Sequence, residues 1–381
     1  MEFYKADLYF KFMHIPDGYL SPVTCAALYA LSAPFWAIAL RRVKRLLNTR
    51  FVPLLSVFAA FSFVIMMFNI PLPGGTTGHA AGIGIATIVL GVWGSILAIS
   101  VALLIQALFF GDGGILAFAA NSFNMAIVGS FVAAAVYRIV ANRAEITSPR
   151  RVIAAGLAGY AAMNAAAFVA SIEFGIQPML FYDASGAPLY APYPLSIAVP
   201  AMMIGHLTVA GLAEAIVTAG VVAYVQKTDS SLLRLTASDA PGVGDAQKSG
   251  WRSTKPLWIG LAALMILTPL GLLAAGTAWG EWAPEDFNDA SAREEIAAAS
   301  LNQAAPTAPP EGLEKLASFW TAPIPDYAPP FMSSPQFGYI LSAMFGTGLI
   351  IAFFLLVGWI LRTFSRNRAA ETVGASETGH N

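Results

Sequence analysis

The sequence predicts an all-α polytopic membrane protein of about nine transmembrane helices. Two observations carry that prediction. The 381-residue chain is 57% hydrophobic and 11% charged, against about 25% charged residues in a soluble domain, and its mean hydropathy is +0.65. Its apolar residues also gather into runs long enough to cross a bilayer as helices, about 17–25 residues each. A net charge of −1 offers no basic surface for nucleic acid. A single cysteine, Cys25, rules out an intrachain disulfide and any site built on paired cysteines.

The runs fall at 23–40, 51–69, 121–140, 152–172, 197–225, 256–275 and 337–361. An eighth, 80–110, is too long for one crossing and carries a Gly-Val-Trp-Gly break at 91–94. Charge decides how to read it. Seventeen of the 21 basic residues lie in four places: Arg41–Arg50, Arg138–Arg151, Lys227–Lys255 and the tail from Arg362. Cytoplasmic loops are enriched in Lys and Arg, and all four groups reach one side only if 80–110 crosses twice, as a hairpin of short helices. The N-terminus is then outside and the C-terminus cytoplasmic. The last two helices, 256–361, read as a separate module behind a polar linker, 226–255. Between them, 276–336 holds nine acidic and two basic residues. Such a loop either concentrates cations at a site or is a solvated acidic surface.

Of the four histidines, His14 and His79 fall on the outer side beside Gly- and Pro-rich turns. The stretch MHIPDGYLSP (Met13–Pro22) reads like a protein start, although twelve residues precede it. If the chain begins at Met13, its free amine, the His14 amide and the His14 imidazole close two fused chelate rings on one metal. His79 could complete a planar four-nitrogen set, a geometry suited to Ni(II) and Cu(II). Residues 1–12 would turn that amine into an amide. They are therefore expected to be an upstream start codon chosen in error or a processed extension, and a bulky second residue would protect Met13 from trimming. His206 and Glu214, within one apolar helix, are expected to form a polar network, with proton transfer as the alternative. The ladder Ala154, Ala158, Ala162, Ala166 is expected to pack internally. There is no P-loop pattern, no H-E-x-x-H and no G-x-S-x-G, so ATP hydrolysis is expected on separate subunits.

The stretches MHIPDGYLSP, PLPGGTTGH (Pro71–His79), QALFFGDGGILAFAANSFNMAIVG (Gln106–Gly129) and GHLTVAGLAEAIVT (Gly205–Thr218) resemble the substrate-capture (S) components of nickel and cobalt energy-coupling-factor (ECF) transporters, the NikM/CbiM family. The resemblance covers the first seven helices. It implies a seven-helix S-component bundle and a metal held by Met13, His14 and His79. Asp17, Thr76, Asp112, Asn121 and Asn124 lie in or beside the same loops and are expected to support them. The start and the Asp-Gly-Gly at 112–114 resemble nickel-type members. At Ala117–Asn121 the chain has Ala-Phe-Ala-Ala-Asn where the family more often has Leu-Gly-Ala-Asn. GTAWGEW (Gly276–Trp282) and IPDYAPPF (Ile324–Phe331) resemble the NikN-type accessory subunit, fused here. The resemblance implies no cofactor, a transmembrane coupling (T) subunit and two ABC-type ATPases as partners, lipid around it, and Ni(II), alternatively Co(II), as cargo. A membrane metal sensor and an intramembrane metalloenzyme are the alternatives outside the family. A closed four-nitrogen site counts against the enzyme, because it leaves no equatorial position for water.

Overall fold

The computed structural model describes residues 14–46, 51–236, 251–274, 276–329 and 331–377. Met13 and residues 1–12 lie outside the described residues, as do 237–250 of the linker. In chain order the main elements are α1 (Pro22–Leu46), α2 (Phe51–Met66), a hairpin of β1 (Ile70–Leu72) and β2 (Thr76–Gly78), and α3 (Ile83–Ile105). There follow α4 (Phe118–Ala141), α5 (Pro149–Gly175) and α6 (Leu195–Thr228). The C-terminal part comprises α7 (Trp251–Leu267), α8 (Ala290–Ala299), α9 (Glu311–Leu316) and α10 (Pro335–Glu377).

Among the described residues seven helices are long and apolar enough to cross a membrane, and α2 is a shorter apolar one. By length and composition alone 83–110 would count as a single span of 28 residues. Its backbone says otherwise. Gly91 is non-helical (φ 70°, ψ 168°), a region that only glycine occupies readily. The Thr87 hydroxyl donates to the Ser95 hydroxyl at 3.0 Å. Eight residues along an unbroken helix would separate those two positions by about 12 Å. The chain therefore reverses at Gly91, and α3 is the expected pair of short legs. Counting both legs and α2, the described residues hold nine apolar helical segments, the number expected.

The α3 hairpin is apolar all round, which suits a helix buried among others. Indeed 78% of its most apolar window is buried, against 22% for α1. It packs on α1, α2, α4, α5 and α6, while α7 and α10 pack on α2. The alanine ladder of α5 is buried, as expected: Ala154, Ala158 and Ala162 are fully so.

Two segments carry more structure than expected, and the two modules are in contact. The segment after α2 is not simply a loop. Pro73-Gly74-Gly75 turns the chain, both glycines take positive φ, and the flanking residues pair antiparallel from Ile70↔Gly78 to Leu72↔Thr76. The linker is not polar loop throughout, because Ser230–Thr236 forms a 3-10 turn whose Thr236 hydroxyl donates to the Ile88 carbonyl at the end of the first α3 leg. The C-terminal module packs against the N-terminal one. Its long loop docks on the first one through backbone bonds such as Thr77 N–H to Thr277 O (3.2 Å), Gly312 N–H to Leu189 O (2.7 Å) and Ile324 N–H to Phe109 O (2.9 Å). Trp279, Trp282 and Phe287 share an apolar cluster with Tyr19, Phe174 and Tyr193.

Candidate metal centre

The site is built from the turn that follows Met13. His14 to Tyr19 has no regular structure, so side chains must satisfy its backbone. Asn121 clamps Ile15 at two points: its Oδ1 accepts from the Ile15 N–H (3.0 Å), and its Nδ2 donates to the Ile15 carbonyl (3.1 Å). In return Asp17 accepts from the backbone N–H groups of Ile115, Leu116 and Ala117 at 3.1, 2.8 and 3.2 Å. Gly114 donates to the Ile15 carbonyl (2.9 Å). A Cβ at Gly114 would sit 2.0 Å from the Asp17 carboxylate, so this approach requires glycine. Ala119, where the sequence lacks the glycine of the expected Leu-Gly-Ala-Asn, is fully buried.

This clamp brings the two outer histidines together. Their ring centroids are 5.1 Å apart, and both rings are buried, at 4% and 7% exposure. They line a cavity of about 90 Å³ together with Thr76, Asn121, Asn124 and His206. His14 Nδ1–H donates to Asp112 Oδ1 at 2.9 Å. Its Nε2 is buried without a hydrogen-bond partner among the described residues. The other Asp112 oxygen accepts from the Gln106 amide (3.2 Å) and the Tyr327 hydroxyl (2.5 Å). Among the described residues no three His, Cys, Asp or Glu side chains converge as a metal site.

The remaining candidates fall around this pair. Thr76 opens β2, its hydroxyl donating to the Pro73 carbonyl (3.5 Å). Asn124 donates to the buried Glu173 at 2.7 Å. His206 and Glu214 do not form one network. The five residues His206–Ala210 are wound as a π-turn, which shifts the helical phase between them. His206 Nδ1–H donates to the Met202 carbonyl (2.9 Å). Glu214 accepts from the N–H groups of Ala81, Gly82 and Gly84 at 2.8, 2.9 and 3.0 Å. It thereby caps the first α3 leg, whose start follows directly on His79.

Comparison with known proteins matches this architecture. Residues 14–232 fit the family profile CbiM, described as the cobalt uptake substrate-specific transmembrane region. The chain belongs to the CbiM family. It is a membrane metal-uptake component rather than an enzyme. Residues 254–363 fit a second profile, the PDGLE domain. The chain is 57% identical over 340 residues to the fused nickel transport protein NikMN of Rhodobacter capsulatus, spanning 89% of this chain and 95% of that one. It is 41% identical to the probable fused nickel transport protein LarMN of Lactiplantibacillus plantarum, spanning 91% and 97%. A crystal structure of a transition metal transporter aligns with a TM-score of 0.54 and 46% identity, over 59% of this chain and 99% of its own.

Within this CbiM-family chain, sequence reasoning missed what the second domain adds to the site. Tyr327 reaches Asp112, as described, with φ of 58°, next to Asp326 at 54°. Glu281 is 6% exposed and lines the histidine cavity. Burial pushes its carboxyl well above the usual range, and the charge of Asp112 adds to the shift. The acidic loop is thus not merely solvated. Pro310-Glu-Gly-Leu-Glu314 also went unread, although it resembles the name of the PDGLE domain. In the fold Leu313 lies against Gly18 of the N-terminal turn.

Proposed function

We propose that the chain is the substrate-capture component of an ECF-type nickel uptake transporter. It takes Ni(II) from outside, with the N-terminus external and the C-terminus cytoplasmic, and a coupling subunit with two ABC-type ATPases drives release inward. The observation that carries this reading is the buried pair His14 and His79, 5.1 Å apart, on a turn that begins one residue after Met13. Transport and site lie on one chain, and relatives of nearly full length are named for nickel. Cobalt is the second reading, favoured by the family description and by shorter-range relatives named for cobalt.

In the proposed loaded state the Met13 amine, the His14 amide and imidazole, and His79 give a planar nitrogen set. The fused chelate uses His14 Nδ1, so the ring turns from its present pairing and Asp112 takes the other ring N–H. A ligating histidine held by a carboxylate in this way is a common arrangement. The test is a nickel titration with absorption spectroscopy of two purified forms, one starting at Met13 and one at Met1. The Met13 form is expected to show tight binding and a square-planar nickel spectrum, and the Met1 form neither. Equal binding by both would exclude the amine, leaving His14, His79 and Asp112 to form a different site.

A further inference from the structure

We propose that Glu281 is a transfer ligand that passes the divalent cation from an outer vestibule to the histidine pocket. The inference rests on the metal-capture reading above and extends it to the loading step. Two cavities meet at this residue. The inner one holds His14 and His79. The outer one, about 310 Å³, lies between the N-terminal turn and the fused loop, and is lined by Asp17, Gly113, Trp282, Thr321 and Pro325 among others. Glu281 is the one described residue that lines both.

The chemistry of the side chain fits transit better than structure. Glu281 Oε2 is buried with no hydrogen-bond partner, and an unsatisfied buried carboxylate oxygen is costly to keep. A cation arriving at the carboxyl displaces its proton to the vestibule water and offsets that cost. Oxygen is a weaker match than nitrogen for a planar nickel site, so the ion has reason to move on. The surrounding segment, with its excess of acidic residues, raises the local cation concentration at the vestibule. Glu281 lies between Trp279 in the inner cavity wall and Trp282 in the outer one, which provides a reporter on each side.

The experiment is stopped-flow mixing of nickel chloride with the full chain starting at Met13, read by quenching of tryptophan fluorescence, with the end-point absorption spectrum taken on the same samples. Glu281→Gln is expected to load at least about ten-fold more slowly, the lower end of what local electrostatics contributes to association. Its final nickel spectrum should match the parent's, and Glu281→Asp, which keeps a carboxyl able to ligate the ion, should load at close to the parent rate. Parent-like loading by Glu281→Gln overturns the proposal. So does an altered final spectrum, which would make Glu281 a ligand of the final site. Equal slowing in both variants also overturns it, since packing rather than the carboxyl group would then be responsible. A parent chain that takes up no nickel would instead overturn the metal-capture reading on which the proposal stands.

Discussion

Asp112 ties three parts of the chain together through one carboxylate: His14 from the N-terminal turn, Gln106 from the end of α3 and Tyr327 from the second domain. Because it fixes the ring of a proposed ligand, Asp112→Asn is expected to weaken nickel binding by about 10–100-fold. Competition against a chelator measures this. Tighter binding in the variant would mean that Asp112 only holds His14 away from the metal. Asp326 makes a separate prediction about pH. Burial, reinforced by the Asp112 charge, pushes its carboxyl up from 3.8 to about 7. The folded chain then holds that proton where the unfolded chain has lost it, so this residue's contribution to stability is largest in acid. It declines as pH rises from about 4 to about 7. Asp326→Asn keeps a side chain suited to positive φ and is expected to flatten the decline, as read from thermal unfolding in detergent at pH 5 and pH 7.5.

At the scale of elements, the α3 hairpin depends on one residue. Gly91→Ala places a Cβ where φ is 70° and ψ 168°, at a cost of about 1–3 kcal/mol. The neighbouring space is open enough, with Leu235 at 3.6 Å, that backbone strain rather than collision sets the effect. Gly220→Ala, with nothing within 4 Å and an ordinary helical φ, is the control and is expected to be neutral or slightly stabilising. A Gly91→Ala chain as stable as the parent would show that the reversal is not held by glycine. This element also shows what a sequence can convey. The hairpin was legible because charge asymmetry counts crossings regardless of helix length, and because a glycine stood at the break. The β-hairpin at 70–78 was not, since a three-residue strand has too little periodicity to register. Glu214 stood out as an ionisable residue in an apolar helix, but its partners are backbone N–H groups more than 130 positions away, which no local spacing reveals. The π-turn at His206 likewise broke the assumed phase.

Across the whole molecule, the two domains are joined by more than their linker. His14 and His79, which the fold brings to one cavity, were readable as candidates because each stands beside Gly- and Pro-rich turn residues in the sequence. Glu281 and Tyr327 were not, because their relation to Asp112 exists only after a loop more than 150 residues downstream has folded back over the pocket. That loop places Trp279 and Glu281 on the wall of the histidine cavity, and the Tyr19 hydroxyl donates to the Trp282 carbonyl at 2.8 Å. It therefore covers the histidine cavity, and a cover slows exchange in both directions. A chain ended after Thr236 removes it. The remaining part corresponds in extent to solved relatives that this chain spans to 99% of their length over 56% or 59% of its own, so it is expected to fold. Nickel dissociation from the shortened chain, followed by transfer to an excess of chelator, is expected to be faster than from the full chain. Loading should lose its dependence on Glu281 because that residue is gone, while the absorption spectrum of the bound ion stays the same, since Met13, His14 and His79 all remain. Unchanged dissociation would mean that the second domain funnels ions without covering them. A changed spectrum would place one of its side chains among the final ligands, with Glu281 the first to examine.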